Sequence, residues 1–557
     1  MSKSPTPIQT DDDRFDHGGC APASLPLASR VVKRQGPIGG GGALVLAGLT
    51  LAAFVLRLPS FDRSLWLDEA WRANIALAPS WSAFWNQVLG SGGGGIGAPM
   101  PPLFALALRA MGFVVGHSAA GMRALPVAAS VAVVPLAYLV GRRAAGVVAG
   151  LTAALCFACA PAALLHGQEL KQYSIDIAVV LTLLLATSAV AARPSAWRPW
   201  IALLVTAALA PGLAYPAALV LPGVALATLA ICRTNGERGR WLAVQVASTV
   251  AALACYTLVI GPQRARPRIS AYWAGDFPPL EGVPSAGWLA GQLLDFVAYA
   301  CGQPAWLAAA VTVAGLLLAA RWLGLAALGA LVTLIAAASW RVYPLSGGRT
   351  TVFMVSFVYL GLGAAIGAGA SLLGPGTRRN VGALARGALA AIAAFLVLTI
   401  ACRGFRHPQA GIVYEETAPL IAILEAERQS NDRVYVYDGA VQAFRFHHPA
   451  SDGMITLGGS HRNDEAAYSA ELRPLVVPGQ RLWLLFAHVH TPASGKPERD
   501  TILGDLALYG RQIDVREAPG ASLHLFEITR APGTVKHLRL TPEDLRDPER
   551  MKQLLGR

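Results

Sequence analysis

Charge is what this sequence has least of. Of its 557 residues only 14% are Asp, Glu, Lys or Arg, against about 25% in soluble globular domains. Lysine almost vanishes from the body of the chain, where Lys171 stands alone between Lys33 and Lys496. The seven cysteines (Cys20, Cys156, Cys159, Cys232, Cys255, Cys301, Cys402) are scattered, and none follows residue 402. That excludes a disulfide framework in the tail. Cys156 and Cys159 form a C-x-x-C, but inside an apolar run, where packing is the expected role. No G-x-x-x-x-G-K-[ST] occurs, so neither the glycine-rich stretch 91–97 nor Leu345-Ser346-Gly347-Gly348-Arg349 makes a nucleotide site. The net charge of +13 comes from arginines set between apolar runs rather than along one face, which argues against a nucleic-acid partner. No internal repeat of the kind found in many secondary transporters is present.

Apolar residues, by contrast, make up 54% of the chain, and the mean hydropathy is +0.47. Runs of about 18 to 22 apolar residues recur between Gly41 and Cys402, long enough to cross a hydrocarbon core of about 30 Å. The expected crossings are 41–56, 124–141, 145–165, 174–192, 199–214, 216–232, 240–261, 304–320, 322–340, 351–373 and 382–402. A further apolar run, 101–116, carries Arg109 at its centre, where a charge at mid-bilayer costs at least about 2.5 kcal/mol. Read as an interfacial helix, it leaves eleven crossings and puts every dense basic loop inside, as the positive-inside rule requires.

The fold class expected is therefore a polytopic α-helical membrane protein with a C-terminal extracytoplasmic α/β domain. Residues 1–37 are polar and read as a disordered cytoplasmic segment. Arg30, Lys33 and Arg34 imitate the start of a signal peptide. Cleavage is not expected, because the most distinctive motif begins about ten residues past the first run. Residues 38–403 form the membrane module, with 57–123 as its first outer loop. Residues 404–557 form the tail, with helical pattern at 415–430 and strand-like alternation at 433–437, 481–490 and 522–527.

The first outer loop contains Leu65-Trp66-Leu67-Asp68-Glu69-Ala70-Trp71-Arg72. Adjacent carboxylates flanked by tryptophans admit two readings. One is an interfacial belt of aromatic anchors with solvated acids. The other is a carboxylate that removes a proton from a hydroxyl while its neighbour orients a substrate or metal. In the tail, His488 and His490 would face the same way on a strand, as zinc ligands do, but no third ligand is evident.

The Asp-Glu pair shortly after a first membrane helix, followed by Ala98-Pro99-Met100-Pro101-Pro102-Leu103, resembles the GT-C glycosyltransferases. The likeness is to protein O-mannosyltransferases, aminoarabinose–lipid A transferases and related bacterial proteins. Pro99 or Met100 stands near the place of that family's histidine. Met122-Arg123-Ala124-Leu125-Pro126, the stretch His166-Gly167-Gln168-Glu169-Leu170-Lys171-Gln172-Tyr173, and Tyr343-Pro344 through Gly347-Gly348-Arg349 match further family segments in order, all in outer loops.

The resemblance implies a GT-C fold and an enzyme of the bacterial inner membrane, with its N-terminus cytoplasmic and its tail periplasmic. It implies inverting transfer of a sugar from a polyprenyl-phosphate donor to a glycan, lipid or protein acceptor. Asp68 and Glu69 would be catalytic. Lys171 and Arg349 would hold the donor phosphate, on which negative charge grows as the bond breaks. Arg72, His166, Glu169, Tyr173, Tyr343 and, from loop 262–303, Tyr272 and Trp273 are further substrate-binding candidates, with Arg266, Arg268 and Asp276 beside them. No cofactor is implied with certainty, and the need for a divalent cation is left open. Two other classes compete: a transporter or flippase of lipid-linked sugars, and a non-catalytic partner subunit.

Overall fold

The computed structural model describes residues 39–90, 100–264, 273–279, 284–373, 381–449, 453–493 and 495–532. The segment 1–37, the stretch 91–97, Pro99, Arg266, Arg268 and Tyr272 lie outside the described residues. The membrane module is almost wholly helical: α1 (Gly40–Val55), α2 (Leu67–Ala76), α3 (Trp81–Leu89), α4 (Pro102–Val115), α5 (Ala119–Ala145), α6 (Val147–Cys159), α7 (Pro161–Gly167), α8 (Tyr173–Ala192), α9 (Trp197–Leu213), α10 (Ala217–Leu229), α11 (Asn235–Cys255), α12 (Ala286–Cys301), α13 (Ala305–Leu318), α14 (Arg321–Ser339), α15 (Val355–Ala370) and α16 (Val381–Arg406).

Among the described residues seven helices are long and apolar enough to cross a membrane, or up to nine if each bent pair is one span. That is fewer than the eleven runs read from sequence, although each run contains a helix. The difference arises where breaks shorten the helices. The runs 199–214 and 216–232 are cut at Ala214–Pro216 into α9 and α10, both under 18 residues. The run 145–165 bends by 56° between α6 and α7, and the run 304–320 forms α13, set at 87° to α12.

The first bend follows from one residue. Pro161 has no N–H, so the carbonyl of Phe157, one turn back, loses its helical donor. Arg57, fully buried at the end of α1, supplies one: its Nη2 donates to Phe157 O at 3.1 Å and its Nη1 to Ala158 O at 3.2 Å.

Large apolar side chains such as Leu44, Phe113, Leu242, Val313, Leu317 and Leu398 are exposed on the outside of the module. In water such a surface would aggregate, whereas in a bilayer it is the lipid-facing side. Helix α15 runs through the centre, and every residue from Val355 to Ala365 is buried. Its glycines admit neighbouring backbones. A Cβ on Gly361 would meet Thr312 O at 2.7 Å, and one on Gly363 would meet Ala149 O at 2.5 Å. This is the close small-residue packing by which helices associate when lipid removes the hydrophobic drive. The G-x-x-x-G of Gly363 and Gly367 forms such a seam, against Ala149 and Ala145 of α6 and α5.

The tail is a five-stranded sheet of β1 (Arg433–Val436), β2 (Ile455–Leu457), β3 (Arg481–Ala487), β4 (Gly510–Ala518) and β5 (Ala521–Ile528), in the order β2-β1-β3-β5-β4. The first three strands are parallel, and β5 and β4 close the sheet antiparallel. Alternation along the strands builds two cores. Val434, Val436, Trp483 and Leu485 pack under α17 (Thr417–Glu427) and α18 (Asp438–His447). Tyr435, Tyr437, Leu482 and Leu484 pack under α19 (Glu465–Leu472) and α20 (Glu498–Leu506). Strand β3 stops at Ala487, short of the 481–490 expected, because His488 turns into the left-handed region at φ 50°. His488 and His490 therefore do not share a strand face as zinc ligands would. They bond separately, to Glu415 and Asn463, and no cluster of three metal-ligating side chains exists among the described residues.

Candidate active site

Helix α2 begins at Leu67, with Asp68 and Glu69 in its first turn, where the helix dipole favours negative charge. Its N-cap, Trp66, offers no side-chain acceptor. The N–H of Leu67 instead donates to Glu415 Oε2 of the tail, at 3.0 Å. Glu416 accepts from the Ser64 N–H and hydroxyl at 3.1 and 2.9 Å, and Asn74 donates to Gln442 O at 2.9 Å. The tail thus holds α2 at both ends.

The two adjacent carboxylates have opposite surroundings. The Glu69 side chain is 0% exposed. Its oxygens accept from Arg63 at 2.7 and 3.2 Å, from Arg123 at 2.6 and 3.1 Å, and from the Leu170 N–H at 2.6 Å. Burial opposes its charge most strongly, but Arg123 and Arg63 together outweigh burial and hold its pKa at about 2. Arg123 also donates to the carbonyls of Phe61, Arg63 and Ser64, which ties the 57–66 loop around the same carboxylate.

Asp68, one residue earlier, is 32% exposed and turns the other way. Lys171 Nζ donates to its Oδ2 at 2.9 Å, and an Arg349 Nη lies 3.8 Å from the same oxygen. Burial again acts against the charge, yet Lys171, Arg72 and Arg349 keep the Asp68 carboxyl at about 2. Lys171 sits over the Trp66 ring at 4.2 Å and is itself buried. Burial lowers its pKa, and Glu169 and Asp68 pull the other way. Arg349 lies over the Trp273 ring at 5.2 Å and is 30% exposed. One carboxylate and two cations thus meet at a partly open mouth, from segments more than a hundred residues apart.

Residues 99–261 match the family of dolichyl-phosphate-mannose-protein mannosyltransferases. The fold is similar to ArnT from Cupriavidus metallidurans bound to undecaprenyl phosphate, with 14% identity over 87% of this chain and 98% of that one and a TM-score of 0.50. The apo structure of the same protein gives 14% identity, the same coverage and a TM-score of 0.51. The archaeal oligosaccharyltransferase AglB from Archaeoglobus fulgidus superposes more loosely, with 12% identity over 90% of this chain and 75% of that one and a TM-score of 0.47. No curated protein is significantly similar in sequence. The chain thus shares the fold of ArnT and, over residues 99–261, resembles the mannosyltransferase family.

The remaining sequence candidates divide into those that face the Asp68 mouth and those that brace it. Glu69 belongs to the second group, because five donors saturate its oxygens and no substrate can reach them. His166 does too: Nδ1 bonds Glu169 at 3.1 Å, Nε2 bonds the Tyr299 hydroxyl, and the Tyr173 ring closes against it at 4.6 Å. Glu169 is spent on that histidine. Its charge survives because the His166 bond and Lys171 outweigh burial, the largest influence and an opposing one, so that its pKa is lowered. Tyr343 donates to Thr350 O at 2.7 Å and stiffens the loop that carries Arg349. Arg72 donates back to the Asp68 carbonyl at 2.8 Å. Tyr173 and Trp273 stay beside Lys171 and Arg349 respectively.

Sequence gives no role to Arg63, Arg123 and Glu415 of this site, and offers His488 only as half of an incomplete zinc pair. Arg63 and Arg123 are ordinary loop and helix-end arginines until Glu69 is seen between them, although Arg123 lies in one of the family-like segments. Glu415 and His488 belong to the tail, where nothing in the local sequence points to the first loop. Glu415 Oε1 bonds His488 Nδ1 at 2.7 Å, and the His488 ring stacks on Trp66 with centroids 6.3 Å apart.

Proposed function

We propose that the enzyme transfers a sugar, with inversion, from a polyprenyl-phosphate donor to an acceptor hydroxyl at the outer face of a bacterial inner membrane. The observation that carries this reading is the meeting of Asp68 with Lys171 and Arg349. In the resting protein the two cations are matched by Asp68. A donor phosphate arriving at the mouth takes over their positive charge and leaves the Asp68 carboxylate to draw the acceptor hydroxyl onto the anomeric carbon. The C–O bond to phosphate breaks with its electron pair going to the phosphate, where Lys171 and Arg349 stabilise the growing charge. Asp68 receives the acceptor proton in the transition state. Glu69 is a positioning residue that fixes α2.

The solved ArnT was captured with undecaprenyl phosphate, which supports a lipid-phosphate donor here. The orientation follows the basic loops: eleven crossings, the N-terminus cytoplasmic and the tail periplasmic. The acceptor is a glycan, lipid or protein hydroxyl, and Lys171 and Arg349 offset the charge of the phosphate whether or not a divalent cation joins them.

The test is turnover of the purified full-length protein with synthetic undecaprenyl-phosphate hexoses and pentoses, read as released undecaprenyl phosphate. Arg349→Lys keeps the charge but loses the planar fork, so release should fall at least about 10-fold, about 1.4 kcal/mol of transition-state stabilisation. Lys171→Met should raise the donor KM more than it changes acceptor use. Wild-type rates in both variants would remove the phosphate role from this pair.

A further inference from the structure

One hydrogen-bonded pair close to Asp68 has no part in the mechanism above. His488 stands just past β3, in the left-handed backbone region at φ 50°. That conformation is unusual for a residue with a side chain and marks a position worth explaining. Its seat is built for it: a Cβ on Gly439 would meet Ala487 O at 2.4 Å and His488 Cβ at 2.9 Å, so only glycine at the start of α18 lets the turn lie where it does. The turn delivers Nδ1 to Glu415 Oε1 at 2.7 Å. Glu415 is itself buried, and its other oxygen is fixed by the Leu67 N–H at 3.0 Å. An imidazole oriented through Nδ1 by an anchored carboxylate is the arrangement that readies Nε2 for proton transfer. The His488 side chain is 37% exposed, and its one hydrogen bond among the described residues is through Nδ1. The ring lies on Trp66, whose other neighbour is Lys171, the partner of Asp68.

We propose that the His488–Glu415 dyad of the tail is the proton outlet of the active site: the proton that Asp68 draws from the acceptor hydroxyl passes to His488 Nε2 and from there to solvent. The proposal rests on the transferase reading above and deepens it. Asp68 must be ionised again before the next turnover, when Lys171 and Arg349 once more favour its charged form, so the proton has to leave, and a nearby neutral imidazole is the stronger base. The balance is simple. The acceptor oxygen gains the bond to the anomeric carbon, the phosphate leaves with its electron pair, and the one proton released ends on the imidazole, where Glu415 compensates the new charge.

The charged groups that act on His488 are Glu415 from the tail's entry segment, Asp68 from α2 and Arg462 from the loop before α19, and Gly439 of α18 lies against its Cβ. Glu415 raises the His488 pKa and is the largest influence, ahead of burial, which lowers it. Since the outlet works only when His488 starts neutral, wild-type kcat should climb as pH rises through that raised pKa.

The experiment uses the full-length protein and the synthetic undecaprenyl-phosphate sugar that the wild type turns over. His488→Ala and His488→Gln should lower kcat by about 10²-fold, the scale of acid–base catalysis, with the donor KM unchanged and the acid limb of the pH profile gone. Added imidazole should restore part of the rate to His488→Ala. Variants with wild-type kcat and pH profile would overturn the proposal. So would a loss that imidazole does not rescue and that appears mainly in KM, since that outcome makes His488 a prop for Trp66. No release by the wild type from any donor would overturn the parent reading, and this one with it.

Discussion

Asp68 and Glu69 are neighbours in sequence with nothing in common in space, because each helical residue turns the side chain by about 100°. One points to the mouth and the other into a cage of two arginines. Asp68→Asn should therefore reduce turnover at least about 10²-fold, with a smaller loss of thermal stability than Glu69→Gln, because Asp68 is partly exposed and Glu169 still offsets the charge of Lys171. Glu69→Gln should do the reverse of a clean kinetic defect: it leaves Arg63 and Arg123 buried and half-paired, at a cost of about 3–5 kcal/mol, read as a lower Tm in detergent. The pH dependence follows. Glu69 has a folded pKa of about 2 against an ordinary 4.5, so its contribution is whole above about pH 4.5 and drains away as pH falls through about 2. Thermal scans from pH 6 to 3 should show that acid-side loss in the wild type and less of it in Glu69→Gln. The sequence displayed the acidic pair plainly, but could not say which member is sealed, because Arg123 lies 54 residues from Glu69 and nothing local announces the contact.

At the level of elements, what was legible depended on how much of each segment is buried. Strands β1, β3 and β5 were readable because their apolar positions fill two cores. Strand β4 was not, since Arg511, Gln512, Asp514 and Arg516 lie on an edge whose faces are largely exposed, and β2 has only three residues. The run 101–116 does form a helix, α4, but the reason for its arginine was hidden in the sequence. Arg109 donates to Ala76 O and Ala78 O at 3.0 and 2.9 Å and stacks over Trp81 at 4.5 Å, closing the end of α2 instead of meeting lipid. The topology proposed for these elements has its own check. In a background without native cysteines, an impermeant thiol reagent applied to intact cells should label Asp62→Cys and His407→Cys, but not Arg143→Cys or Arg238→Cys. Labelling at position 143 would invert the orientation.

Over the whole molecule, the candidate site joins the membrane module to the tail, and the proposed ligand should stabilise both together. Undecaprenyl phosphate at about 100 times its Kd should add about 2.7 kcal/mol, seen as a higher Tm for the purified protein. Arg349→Ala combined with Lys171→Met should abolish that rise, and mass spectrometry of the copurifying lipid should show a polyprenyl phosphate in the wild type only.

The cap that Glu415 places on α2 also has a consequence in time. Leu67 and Glu415 are 348 residues apart, so a ribosome adding about 5–20 residues per second needs about 17–70 s between them. During that interval the first loop has left the ribosome with its helix start unsatisfied and Trp66 without its histidine. The first loop is thus made unfinished, and on the proposed mechanism the site becomes competent only once Glu415 has emerged. Stalled chains of increasing length should show protease resistance around residue 67 only once residue 416 is clear of the exit tunnel; resistance in chains halted before residue 400 would show that the loop matures without the tail.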